Sequence, residues 1–192
     1  MLNYYTKILT YSFFWKNPFK AFFKILHLVF ILLTNNKVVL KISYGKKNFK
    51  ILAQDFNKNQ GGRSLLLFNN SYDNFLKYGH LLIEEGDYIV DGGANQGVYT
   101  CAFAQKVGNR GKVISVEPLK EPIKMLMENL KLNQFKNVKI ERCGLWNRNT
   151  KGKIYFSEDR YGQASIVSKS ENHQKLKLKK LDNLIKLNNL NK

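Results

Sequence analysis

Between residues 87 and 145 short apolar runs alternate with amphipathic stretches, and this alternation limits the fold more than any other feature. "DYIVD", "KVISVEP" and "VKIERCGL" read as strands. "GVYTCAFAQKVG" and "EPIKMLMENLKLN" read as helices. In the first helix Val98, Ala102, Phe103 and Val107 recur at helical spacing, and Gly108 ends it. In the second, Pro122 lies in the first turn, and Ile123, Leu126, Met127 and Leu130 share one face. Strands joined by helices run parallel, and parallel sheets are covered on both faces. The expected class is α/β, a Rossmann-like, doubly wound, mostly parallel sheet.

Gly92, Gly93 and Gly97 follow the first strand directly, in "YIVDGGANQGVYT". Each glycine weakens a strand or a helix, so three of them imply close approach of a ligand to the backbone. Ligands of open α/β sheets sit beyond the carboxyl ends of the strands, at the turn into a helix. A dinucleotide loop calls for GxGxxG, and here Ala94 replaces the middle glycine. Asp91 at the strand end would also repel a pyrophosphate. S-adenosylmethionine has no phosphate, and its ammonium, sulfonium and carboxylate suit an acid backed by amides. Glu117 ends the second strand, where a carboxylate can accept from both ribose hydroxyls of either cofactor.

"DYIVDGGANQGVYT", "VISVEP", "NLKLN" and "VKIERCGLWN" together resemble the FkbM-type methyltransferases, a group of Rossmann-like enzymes that use S-adenosylmethionine. The resemblance is clear from Gly86 to Leu145 and continues weakly through "GQASIV" and "LKKLDNLI". It implies methyl transfer to oxygen, often on a sugar, a glycan or a natural product. By position it implies that Asp91, Gly93, Asn95 and Gly97 hold the methionine end of the cofactor, that Glu117 holds the ribose, and that Cys143 and Gly144 lie near the adenine. Members of that group continue beyond an element like "LKKLDNLI" into a strand bearing Asp-x-Glu-Gly. The sequence ends before it, at Lys192, so an incomplete sheet is expected, from a fragment, a split reading frame or a remnant. The alternative readings are a non-catalytic protein that binds a nucleotide or an anionic surface, and, less well matched, an NAD-binding Rossmann protein.

No catalytic base can be named from the sequence: Glu141 and Asp159 qualify by residue type alone, and Ser165 lies in a stretch that resembles the family. Residues 37–86 read as a β-rich lead-in. "KVVLKISYG" and "NFKILAQ" form two strands about Gly45, "NKNQGGRS" a loop, and "YDNFLKYGHLLIEEG" a helix with Phe75, Leu76, Leu81 and Leu82. After residue 145, "KGKIYFSE" and "ASIVS" are expected as strands and "LKLKKLDNLIKLNNLNK" as a helix or a strand running into one.

Residues 1–36 differ from the rest. Across residues 1–50 there are lysines and no Asp or Glu, and from Phe19 to Leu33 nearly every residue is apolar except Lys20, Lys24 and His27. The apolar stretch is shorter than the ~20 residues that span a bilayer. The favoured reading is an interfacial helix with its lysines toward lipid headgroups, which places the protein in the cytoplasm at the inner face of the membrane; the alternatives are a helix packed on the protein's own domain and a transmembrane anchor. The domain plan is therefore 1–36, 37–86 and 87–192 (a partial methyltransferase domain). The net charge of +18 attracts polyanions. Lysine far outnumbers arginine, which argues against specific nucleic-acid reading. Cys101 and Cys143 lack zinc-ligand spacing, and no metal is expected.

Overall fold

The computed structural model describes residues 16–34, 36–54, 60–157, 164–167 and 172–187. Helix α1 (Pro18–Thr34) leads into an antiparallel hairpin of β1 (Val38–Tyr44) and β2 (Lys47–Ala53). The hairpin turns at Gly45, as expected, with a φ of +61°. Its inward residues Ile42, Phe49 and Ile51 alternate with exposed lysines. The buried face of α1 is narrow: Ala21, Leu28 and Ile31. Lys24 also turns inward, and its Nζ donates to the Leu67 carbonyl at 2.7 Å. The polar stripe is thus divided, with Lys24 against the protein and Lys20 and His27 in solvent.

Helix α2 (Gln60–Phe68) occupies much of the expected "NKNQGGRS" loop. Its two glycines each cost a helix about 1 kcal/mol. Leu65, Leu66, Leu67 and Phe68 are all buried, and each such side chain contributes about 1.5–3 kcal/mol. Burial therefore decides the conformation. Helix α3 (Asn74–Tyr78) is capped by Asp73, whose carboxylate accepts from the N–H groups of Phe75 and Leu76. It is shorter than expected. The backbone tightens into a 3₁₀ turn at Gly79–Leu81, where Gly79 is pressed against Phe75 and the Tyr44 hydroxyl. Leu81 and Leu82 consequently face solvent, and Leu76 and Ile83 fill the core.

The parallel unit then follows as read: β3 (Tyr88–Gly92), α4 (Val98–Val107), β4 (Lys112–Val116), α5 (Lys120–Asn133) and β5 (Val138–Glu141). The strands pair in parallel in the order β3-β4-β5. This is an incomplete Rossmann-like α/β fold, and the order does not reverse among the described strands. Side chains of β4 alternate between two layers. Val113 packs with Cys101, Ala102 and Phe103 of α4, while Ile114 and Val116 pack with Cys143 and Leu184 on the other face. Both faces of the sheet are covered. Met127 departs from the expected apolar face of α5 and is half exposed.

The third strand stops at Glu141. Gly144–Leu145 forms a separate short strand, β6, in a second sheet with β7 (Thr150–Phe156) and β8 (Asn172–Lys179). The order is β6-β8-β7, with β8 parallel to β6 and antiparallel to β7. Helix α6 (Leu181–Leu187) follows, so the lysine-rich terminus is a strand running into a helix. "ASIVS" supplies only one bridge, between Ser165 and Tyr155, among the described residues.

Candidate cofactor site

The glycine loop folds over the carboxyl end of β4. The N–H groups of Gly93 and Ala94 both donate to the Val116 carbonyl, at 2.9 and 3.1 Å. This turn needs left-handed backbone at Gly93 (φ +82°), Asn95 (φ +49°) and Gly97 (φ +86°). Gly97 has a second constraint, because a Cβ there would lie 2.3 Å from Leu126 Cδ1. The glycine thus lets α4 begin against α5. At Gly93 a Cβ would meet nothing within 4 Å, so this side of the loop is open.

Glu117 follows β4 and is bonded to the same loop at Asn95. It is 5% exposed, and each carboxylate oxygen holds one amide. The Asn95 N–H donates to Oε2 at 2.8 Å, and the Leu119 N–H donates to Oε1 at 2.9 Å. Burial pushes its pKa above the ordinary carboxylate range, the two amide bonds lower it, and Asp91 adds a smaller push upward. Each oxygen retains acceptor capacity, so the group can still accept hydrogen bonds from two hydroxyls.

Asp91 is also buried, at 8% exposure. Thr100 Oγ1 donates to its Oδ2 at 2.5 Å, and the same hydroxyl lies 2.9 Å from Ser115 Oγ. Burial raises the Asp91 pKa, and the bonds from Thr100 oppose it. Thr100 and Ser115 are completely buried polar groups that sequence reasoning did not single out. The Tyr-Thr pair after the glycine loop was the available signal. Asn129 was also missed: its Nδ2 donates to the Gln96 carbonyl at 2.9 Å, while its Oδ1 accepts from the Leu52 N–H at 2.7 Å. It ties the loop to β2 and α5. Burial raises the pKa of the Cys101 thiol to about 12, with Asp91 adding to the effect, so it is an inert core group.

Asp91, Gly93, Asn95, Gly97 and Glu117 therefore belong to one cluster at the carboxyl ends of β3 and β4. Cys143 and Gly144 lie beyond the end of β5. The Cys143 side chain is enclosed among Ile114, Val116 and Leu184. A Cβ on Gly144 would lie 2.8 Å from Leu178 and 2.9 Å from Leu176, so packing of β8 accounts for that glycine. Glu141 is held by Lys139 and Lys179, both at 3.1 Å. Ser165 is engaged in its bridge to Tyr155, and Asp159 lies outside the described residues. No group of metal-ligating side chains occurs among the described residues.

A family model for protein-L-isoaspartate(D-aspartate) O-methyltransferase matches residues 38–145, more than half of the chain. No curated protein matches. Several solved structures are similar. An S-adenosylmethionine-dependent methyltransferase from Aquifex aeolicus is 27% identical, over 31% of each chain, with a TM-score of 0.30. An S-adenosylmethionine-dependent O-methyltransferase from Thermotoga maritima is 26% identical, over 38% of this chain and 29% of that one, with a TM-score of 0.35. Methyltransferase FkbM from Methylobacillus flagellatus is 15% identical, over 69% of this chain and 35% of that one, with a TM-score of 0.38. The chain spans about a third of the length of each of these three proteins.

Proposed function

The chain belongs to the protein-L-isoaspartate(D-aspartate) O-methyltransferase family, whose cofactor is S-adenosylmethionine, and from that premise we propose that it is an FkbM-like enzyme methylating a hydroxyl of a sugar or glycan. The observation that carries the cofactor reading is Glu117, a buried carboxylate at the end of β4 held by two amides, one of them from Asn95 of the glycine loop. In this reading Glu117 accepts from the ribose hydroxyls. Gly93, Asn95 and Gly97 shape the bed for the methionine end, with Asp91 behind them. Cys143 and Gly144 contribute main chain near the adenine.

S-adenosylmethionine supplies a methyl group activated by sulfonium. As an acceptor oxygen bonds to that carbon, the carbon–sulfur bond breaks and S-adenosylhomocysteine leaves. The hydroxyl proton passes to water or a carboxylate. The protein's part is to hold acceptor and methyl in line. The family's name points instead to a carboxylate acceptor, which needs no base. The products differ: a methyl ester releases methanol in mild alkali, and a sugar methyl ether does not.

The proposed domain plan keeps residues 1–36 as a surface segment, 37–86 as lead-in and 87–192 as the partial methyltransferase domain. The surface segment acts at the cytoplasmic face of a membrane. Phe19, Phe22, Phe23, Phe30 and Leu33 of α1 are each more than half exposed and support that placement. No described helix is long and apolar enough to cross a membrane.

Calorimetric titration with S-adenosylhomocysteine, beside NAD and beside a Glu117→Ala variant, tests the cofactor. Micromolar S-adenosylhomocysteine binding that the variant loses is expected; preference for NAD sinks the reading. Labelled methyl transfer to cell-envelope extract, followed by mild alkali, then tests the acceptor. Alkali-stable label is expected, and volatile label reassigns the acceptor to a carboxylate.

A further inference from the structure

An open groove of about 630 Å³ begins at Pro118, the residue after Glu117, and runs between the start of α5 and the β7–β8 ribbon. Its lining includes Lys120, Arg142, Lys151, Lys153, Lys175 and Lys177, and no acidic residue. None of these six cations is in an ion pair among the described residues. Glu141, the acid on the neighbouring β5, is already bonded to Lys139 and Lys179.

The strand register makes the pattern unusual. Lys151 is the direct partner of Lys177, and Lys153 is the direct partner of Lys175. Like charges placed opposite one another across an antiparallel pair are destabilising. Lysines on an edge strand are commonly explained as protection against edge-to-edge aggregation. That explanation covers these lysines of β7 and of β8, because β6 pairs with β8 only at Leu178 and Lys179, but it does not cover Lys120 and Arg142, which line the same groove from outside the ribbon. The opposite face of the ribbon is ordinary core, with Ile154, Leu176 and Leu178 buried. Two repelling pairs thus persist on one face of the ribbon, along a groove whose lining starts one residue after Glu117.

We propose that this groove binds an acceptor carrying two or more phosphate groups, placing its hydroxyl at the glycine loop. The proposal rests on the methyltransferase reading above and names its substrate class. Lysine supplies strongly hydrated point charges with rotatable donors, which suit phosphate oxygens without demanding a planar partner. The volume is that of a small-molecule site. A diphosphate between the two lysine pairs would relieve both repulsions at once.

The test is calorimetric titration of the full chain at low salt with pyrophosphate, inorganic phosphate, phosphatidic acid vesicles and a single-stranded oligonucleotide. Variants are Lys151→Gln/Lys153→Gln and Lys175→Gln/Lys177→Gln, with Lys46→Gln/Lys47→Gln at the distant hairpin turn as control. Neutralising repelling, exposed lysines leaves the fold intact, which thermal unfolding checks. Pyrophosphate is expected to bind more tightly than phosphate, and each groove variant to weaken it by about tenfold. The hairpin control should stay within about twofold. Binding confined to the vesicles, through the same lysines, assigns a lipid-borne phosphate and supports the same chemistry. Equal losses in the hairpin control, absence of pyrophosphate and vesicle binding, or a tighter oligonucleotide overturns the proposal. S-adenosylhomocysteine is titrated in parallel. Its failure to bind the wild-type chain overturns the cofactor reading whatever the phosphate result.

Discussion

The Asn95 N–H and the Glu117 carboxylate are joined by a 2.8 Å hydrogen bond that links the tip of the glycine loop to the end of β4. Asn95 is held in left-handed backbone to make it. One carboxylate therefore has two tasks: it fixes the loop and, in the proposed function, it receives the ribose. Glu117→Gln separates them. The amide keeps one acceptor oxygen and turns its NH₂ toward the other backbone donor. Losing one bond in a buried site costs about 1–3 kcal/mol. Unfolding in urea should show a loss of that order, and S-adenosylhomocysteine affinity should fall by at least about tenfold. Unchanged affinity would remove Glu117 from the site.

Gly93 and Gly97 have similar backbone angles and different surroundings, so they should respond differently to alanine. Both substitutions place a side chain in left-handed backbone, at about 1–2 kcal/mol. Gly97→Ala adds a clash with Leu126, and overpacking costs about 1–3 kcal/mol more. Gly93→Ala adds no contact. Thermal unfolding should rank Gly97→Ala well below Gly93→Ala. Cofactor titration should still find Gly93→Ala impaired, because its methyl projects into the open face. A Gly93→Ala protein that binds normally would put the cofactor elsewhere.

Which parts were legible in the sequence follows from where the interactions reach. The β3–α4–β4–α5–β5 unit was readable because its apolar spacing and glycine stops are local, and these also placed Glu117 at a strand end. Elements governed by distant contacts were not readable. The glycines of α2 signal a loop until Leu65 to Phe68 are seen to be buried. The outward turn of Leu81 and Leu82 depends on Gly79 meeting Tyr44. The inward turn of Lys24 depends on a carbonyl at the end of α2. Within the site, Thr100 and Asn129 act through partners on other elements. The Tyr-Thr pair after the loop marks the position of Thr100 but not its partner Asp91, and nothing local marks Asn129 as the brace of Gln96.

Asp91 makes stability depend on pH. Its burial raises the folded-state pKa, as it does for Glu117. The folded protein then keeps protons that the unfolded chain has already released. The contribution of these groups to stability is therefore greatest below the ordinary carboxylate range. It declines as pH rises from that range through the folded-state pKa values. Asp91→Asn removes one of the two groups, and the amide oxygen can still accept from Thr100. Denaturant unfolding from pH 4 to pH 8 should give a flatter profile for the variant, with its advantage growing toward the alkaline end. Cofactor affinity should fall in the same protein, because the buried charge is gone. Parallel pH profiles would show that Asp91 is not the source of the dependence.

Helix α1 allows the proposed surface role to be separated from the structural one. Ala21, Leu28 and Ile31 anchor it in the core, so deleting the whole segment would unfold part of the protein and could not isolate membrane contact. The opposite side of the helix carries Phe19, Phe22, Phe23, Phe30 and Leu33, with Lys20 and His27 exposed along one flank. Replacing Phe22 and Phe30 with serine removes apolar area from water-exposed positions and should leave the thermal midpoint nearly unchanged. Binding to vesicles containing anionic lipid should fall by at least about tenfold, since each phenylalanine that enters the interface contributes on the order of 1.5–3 kcal/mol. Leu28→Ala should do the reverse, lowering stability by about 2–5 kcal/mol with little effect on vesicle affinity per folded molecule. Co-sedimentation with vesicles, read beside thermal unfolding, distinguishes the two. If the serine variant still binds vesicles as the wild type does, the exposed face is not the membrane contact, and the lysine surface alone must account for the attraction.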